Sequence, residues 1–418
     1  MRPRLLTHRL WWLLIWPALA HPAPETLVYP VLFGAEIKAG QQRVQTFIRV
    51  RQTTALLQEV RLRAPSKRFG NFAGDGEIIR NGDRLIWRPP ATGGELRYRS
   101  NLRQRRNASS YDALVERDWA LFRLEDLFPP AGISQADGSR SSSQLLLTVP
   151  DGWQTVTRYP AGKDGIAGVD NPARKFDRPT GWSVAGRLGI KRDNIDGTQV
   201  TIAGPVGQGV QRVSMLALLR WNLPELLEIA PAPPESLLVV SAGEPMWRGG
   251  LSGPASIFMH ADLPLLSEDG TSTLVHESVH ALLPVPTARE HDWIDEGLAE
   301  YLTLELLLRS GTISQRRFDG TIKRFRRRGS PVKSLLTARS SGAVTARAVV
   351  LFHDLAGDIG QATDHEVGIT DLARRLAQET VPLDFDGLQA IATAMSRGQA
   401  PPSLAAARML ASGAEAEM

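Results

Sequence analysis

Six of the eight histidines lie between residues 260 and 365, and two of them stand four apart in His276-Glu277-Ser278-Val279-His280. On a helix, residues i and i+4 share one face about 6 Å apart, so both imidazoles can reach one metal ion. Zinc takes imidazole nitrogens at about 2.1 Å. Glu277 follows His276 by one position, which turns it about 100° around the helix and sets it beside the metal. A general base stands there to take a proton from water activated by the metal. Glu296 follows in Trp293-Ile294-Asp295-Glu296-Gly297-Leu298-Ala299-Glu300-Tyr301, which opens a second helix. Its carboxylate completes a set of two His and one Glu that leaves one tetrahedral position of zinc open. His276, His280 and Glu296 are therefore the expected ligands of one Zn2+ per chain, and Glu277 the expected base.

The same segment offers support behind the ligands. A metal-bound His usually donates its other ring N–H to a carboxylate, which fixes its tautomer. Glu300 shares a helix face with Glu296 and is expected to reach one histidine, and Asp295 the other.

The elements that position these groups divide the chain in two. Residues 21–205 read as a β-sandwich-like domain, with short apolar runs such as Leu85-Ile86-Trp87 and Val200-Thr201-Ile202. Asn81-Gly82-Asp83, Thr92-Gly93-Gly94, Asp151-Gly152 and Asp196-Gly197 supply the turns between them. Gly132 to Ser143, rich in Ser, Gly and Asp, reads as a loop. Gly204 to Gly209 reads as a linker into a catalytic domain over 206–418, which opens with a helix near Val213–Ile229. Short strands follow near Leu237–Val240 and Ser256–His260. From Thr271 the apolar spacing is helical, over Ser272–Leu283, Ile294–Arg309, Ala346–Ile359 and Thr370–Gln378, with shorter helices near Phe385–Met395 and Leu404–Leu410. The fold class is thus α+β and multidomain, a β-rich first half followed by a mainly helical second half.

Composition narrows the chemistry. The 418 residues include no cysteine, which excludes disulfides, thiolate catalysis and Cys-ligated metal. The net charge of +5 owes three charges to Arg2, Arg4 and Arg9, which precede an apolar run from Leu10 to Ala20. A basic start, about ten apolar residues and a small-x-small end make residues 1–20 a secretory signal. Cleavage after Ala20 leaves +2 and no transmembrane anchor, so a nucleic-acid partner is not expected and a periplasmic or secreted location is. Arg103, Arg105 and Arg106 lack aromatic residues interleaved with them in sequence and read as a solvated loop. Lys323 to Arg328 read as a solvated helix end closed by Gly329.

His276-Glu277-x-x-His280 followed by Asp295 to Tyr301 resembles the gluzincin metallopeptidases, and most closely their glycyl-aminopeptidase-like family. The likeness is specific over about residues 250–305. It is looser in the first half, where Leu85-Ile86-Trp87 and Glu95-Leu96-Arg97-Tyr98 resemble the family's sheet. It implies a β-rich domain before a thermolysin-like catalytic domain, peptide or protein substrates, and the ligand and base roles given above. The chain departs from the family in three places. The spacer from His280 to Glu296 is shorter than in the better-known aminopeptidases. Members often hold a substrate's amino group with a Glu in the strand before the metal helix. Here that region reads Gly249-Gly250-Leu251-Ser252-Gly253, and no Glu occurs from Pro245 to Ser267. The family's oxyanion-donating Tyr is replaced by Thr345, with Arg347 and His353 as the nearest substitutes in sequence.

Gly249 and Gly250 are weaker candidates for substrate binding, since glycine lets an extended peptide approach a strand edge. His260, His291, His353 and His365 read as structural or exposed. Two function classes follow: an exported zinc metallopeptidase, or a zinc-bearing envelope scaffold with weak or lost turnover. Oligomeric state is left open.

Overall fold

The structure of the protein, a computed structural model, describes residues 27–171, 174 and 176–411. The expected export signal at residues 1–20 lies outside the described residues. In the first half, alternation of apolar and polar residues builds sheets with one buried face. The strand Arg43–Arg51 turns Val44, Thr46, Ile48 and Val50 inward and the residues between them outward. It pairs antiparallel with Leu27–Glu36 and Gly93–Asn101 in a six-stranded sheet. A four-stranded sheet centred on Leu57–Arg63 and Arg84–Arg88 shares its core, which holds Tyr29, Phe33, Trp87, Tyr98 and Phe128.

The segment expected as a loop at Gly132–Ser143 belongs to two strands, Ala131–Gln135 and Ser139–Thr148. Ser139, Ser141 and Ser143 take the inward positions of the second strand, and the Asp177 N–H donates to Ser141 Oγ at 2.8 Å. Small hydroxyls at buried positions made a strand look like a polar loop.

A five-stranded sheet forms the seam between the halves. It runs in the order Gln154–Thr157, Trp182–Gly186, Trp119–Arg123, Tyr111–Val115 and Gln104–Arg105. Its Leu114, Leu121, Trp182 and Val184 pack on Ala203, Leu238, Val240 and Phe258 of the second half.

The sheet of the second half runs in the order Leu188–Ile195, Thr198–Pro205, Ser236–Ala242, Ser256–His260 and Gly250–Gly253. Thr198–Pro205 and Ser236–Ala242 are parallel, which requires a crossover, and the helix Arg212–Ile229 supplies it. The hairpin from Leu188 to Pro205 therefore belongs to this sheet, and the boundary expected at 205/206 cuts through it. Gly204-Pro205, read as the start of a linker, ends a strand.

Helices cover the rest: Thr273–Leu282, Asp292–Arg309, Gln315–Gly329, Ala343–Ala362, Ile369–Ala377, Phe385–Met395 and Pro402–Ala411. Gly297 lets Asp292–Arg309 lie close on Ala343–Ala362, because a Cβ there would stand 2.5 Å from Ala348 Cβ. Gly329 lies within its helix, against the Arg347 backbone, and Ser330 takes the cap position expected for it. No helix among the described residues is long and apolar enough to cross a membrane.

Candidate metal centre

The helix Thr273–Leu282 starts at Ser272, whose hydroxyl accepts the Val275 N–H at 3.4 Å. Leu274, Val275, Val279 and Leu282 are buried, and the same turns carry His276, Glu277 and His280. The helix Asp292–Arg309 places Asp292 and Asp295 in its first turn, where carboxylates suit the positive end of the helix dipole. Glu296 and Glu300 follow one turn apart on one face.

These two helices bring the six sequence-expected residues together. His276 Nε2 and His280 Nε2 stand 3.1 Å apart. The Glu296 carboxylate oxygens lie 3.5 Å from the first and 3.8 Å from the second. Tetrahedral zinc with bonds of about 2.1 Å spaces its ligand atoms about 3.4 Å apart, so this triangle has the right size. On the far sides of the rings, His276 Nδ1 is 2.8 Å from Glu300 Oε2 and His280 Nδ1 is 3.2 Å from Asp295 Oδ2. Each carboxylate faces the Nδ1 of one ring, which favours the proton there and leaves the Nε2 lone pair for the metal position.

Without a metal the group stores protons. Burial weakens the hold of His276 on a proton, but Glu296 and Glu300 outweigh it and raise its pKa well above the usual histidine value. At His280 burial is likewise outweighed, chiefly by Asp295, and the pKa is raised. Burial would raise Glu296, yet the two histidines leave its carboxyl below the usual range. Glu277 goes the other way. Burial pushes its carboxyl up, against the pull of His276 and His280 and a hydrogen bond from Ser252.

Gly249 and Gly250 have closer reasons to be glycine than an approaching peptide. A Cβ on Gly250 would stand 2.4 Å from Thr273 Cγ2 and 2.7 Å from Glu277 Cγ, and one on Gly249 would enter the Trp247 ring. The edge strand thus presses on the helix that carries Glu277. The expected substitutes for the oxyanion donor are elsewhere. His353 lies between Tyr301 and Phe318, with ring centroids 5.8 and 6.0 Å away. Arg347 lines a separate cavity with Arg326 and Asp354. Thr345 Oγ1 pairs with Ser340 Oγ at 3.0 Å, and the Ser340 N–H donates to Asp292 at 2.6 Å. Of the remaining histidines, His260 is fully buried, and burial lowers its pKa. His291 Nδ1 lies 3.1 Å from its neighbour's carbonyl, that of Arg289.

Some groups near the site were not legible in the sequence. Ser252 stands near Glu277 and draws its carboxyl down, and Arg123 reaches the Ser252 carbonyl from the first half. The basic cluster also differs from its reading as bare loop. Arg103 and Arg105 lie over the Tyr111 ring and Arg106 over Trp247, at 5.5, 5.7 and 3.7 Å from the centroids. Tyr111 and Trp247 are distant in sequence and meet by pairing of their backbones, so no local pattern announced them.

No protein-family model matches the chain, and no curated protein matches it in sequence. Its fold is shared with solved structures. An aminopeptidase N family protein from Idiomarina loihiensis aligns with TM-score 0.62 at 15% identity, over 83% of this chain and 70% of that one. An M1 zinc metallopeptidase from Deinococcus radiodurans aligns with TM-score 0.59 at 14% identity, over 92% of this chain and 94% of that one. A mutant of the latter protein gives TM-score 0.60 at the same identity. The likeness is one of fold, a β-rich region before a helical one.

Proposed function

We propose that the protein is an exported zinc-dependent peptidase. The observation that carries this reading is the convergence of His276 Nε2, His280 Nε2 and Glu296 on one point, with Nδ1 of each ring held from behind by a carboxylate. The donor set suits one zinc ion per chain, and the fold's solved relatives include a protein named as a zinc metallopeptidase. Bound there, zinc would supply Lewis acidity towards a carbonyl oxygen and a water of lowered pKa.

The chain's own residues supply the rest. Glu277 is buried beside the ligands, and burial pushes its carboxyl above the usual carboxylate range, the direction that suits a general base. It takes a proton from the attacking water and returns it to the leaving nitrogen. Ser252 orients that carboxyl from the edge strand. Gly250–Gly253 is the last strand of its sheet, so its outer edge borders the cleft where an extended peptide can lie. The basic and apolar segment of residues 1–20 supports export to the periplasm or the medium.

The test is cleavage of a broad peptide library by zinc-loaded and chelated protein. Cleavage by the loaded form alone supports the reading. A zinc-loaded protein inert towards the library overturns it and leaves a zinc-bearing scaffold.

A further inference from the structure

The first half of the chain brings two arginines to the cleft. Arg123 ends the strand Trp119–Arg123, and its Nη2 donates to the Ser252 carbonyl at 3.3 Å. Its guanidinium lies 4.6 Å from the Trp182 ring centroid, and Trp182 Nε1 donates to the adjacent Leu251 carbonyl at 2.9 Å. These two contacts clamp the edge strand beside the base. Beyond Ser252 a cavity of about 620 Å3 opens next to His280, and Arg158 lines it. Arg158 Nη1 reaches Asn171 Oδ1 and Thr180 Oγ1 only at 3.5 Å.

Neither arginine is ion-paired among the described residues. Around Arg123, Asp112 pairs with Arg106 at 2.8 Å, Glu125 Oε2 accepts the Gly181 N–H at 3.0 Å, and Glu277 also acts on the guanidinium; no such acid stands beside Arg158 in the cavity. No Asp or Glu lines the cavity, whose wall is largely Pro231, Pro234, Pro254, Leu282, Pro284 and Ala377. An ammonium group seated there would give up its water against an apolar wall with no carboxylate to replace it. It would also face the Arg158 guanidinium, which has no ion pair among the described residues. An apolar side chain would instead gain from burial. A pocket of this size holds more than one such side chain.

We propose that the cleft takes peptides whose chain continues through this cavity as amides, with apolar residues in it, and rejects a free amino terminus. Arg158 is the specificity residue, and Arg123 positions the strand beside it. Arg123 fixes the edge strand, and Arg158 repels an ammonium and offers a donor to a carbonyl or carboxylate oxygen within the cavity. The substrate class is therefore internal or acylated apolar peptide segments. This rests on the peptidase reading of the same site.

Binding separates recognition from turnover. Zinc-loaded Glu277→Gln protein is titrated with N-acetyl-Ala-Leu-Ala-Leu-amide and with the same peptide bearing a free amino terminus. The acetylated form is expected to bind about tenfold more tightly or better, because the ammonium finds no partner. Arg158→Glu should cancel or reverse that preference while zinc content and melting temperature hold, and Arg158→Lys should keep it. Equal or tighter binding of the free-amine peptide, or a preference that survives Arg158→Glu, overturns the proposal. Library cleavage that favours free amino termini sinks this proposal and leaves the peptidase standing. Selective binding of the acetylated peptide with no cleavage by wild-type protein does the reverse.

Discussion

Glu300 Oε2 lies 2.8 Å from His276 Nδ1, behind the ring whose Nε2 faces Glu296. Both acids come from one face of one helix, so a single element sets a ligand and the group that orients another ligand. Removing such a support typically costs about 10–100-fold in metal affinity. Glu300→Ala is predicted to weaken zinc binding by that amount, read by competition with a chelating dye. Asp295→Ala should act similarly through His280, from which it stands 3.2 Å. Unchanged affinity in both variants would show that the carboxylates only decorate the helix.

Gly250 sits where the edge strand presses on the base. A methyl group there would meet Thr273 Cγ2 and Glu277 Cγ well inside contact distance, and Glu277 must turn or the strand must retreat. A misplaced catalytic group can cost about a hundredfold in rate. Gly250→Ala is predicted to lower kcat by about 10–100-fold with zinc content unchanged. Full activity with an altered KM would instead mark Gly250 as a substrate contact.

The raised pKa values of His276 and His280 give the metal-free protein a distinctive pH response. Both rings bind a proton more tightly folded than unfolded, so the stabilisation is whole below the unfolded value of about 6.5. It is lost as pH rises through the higher folded values. Zinc needs the deprotonated rings, so its binding runs the opposite way. Chelated protein is predicted to lose stability as pH rises above the unfolded histidine value of about 6.5, while the rise in Tm on adding zinc grows over the same range. Melting curves at matched ionic strength with and without zinc check this. A zinc shift independent of pH would contradict the assigned ligands.

The juxtaposition of the candidate ligands is legible because it is local. His276 and His280 are set by helical spacing, and Glu296 and Glu300 by the next helix, whose apolar positions also follow the helical period. The helices themselves lie within a few residues of the sequence reading, except that Gln315–Gly329 was marked only by its basic end. Errors arose where the deciding contact is non-local. The Leu188–Pro205 hairpin was assigned by turn signals to the first half, but backbone pairing with Ser236–Ala242 puts it in the second. The strand Ser139–Thr148 was hidden by buried serines. Arg123 and Arg158 carry no motif, and only the seam between the sheets brings them to the cleft.

The central claim is that Glu277 activates water beside a metal held by His276, His280 and Glu296. The most direct measurement sets Glu277→Gln beside the unaltered protein, with zinc content by elemental analysis and turnover on the best library peptide. Loss of a general base costs about 10²–10⁴-fold. The prediction is about one zinc per chain in both proteins and a fall in kcat of that size in the variant. Cleavage by Glu277→Gln at the parent's rate, with zinc retained, would contradict it.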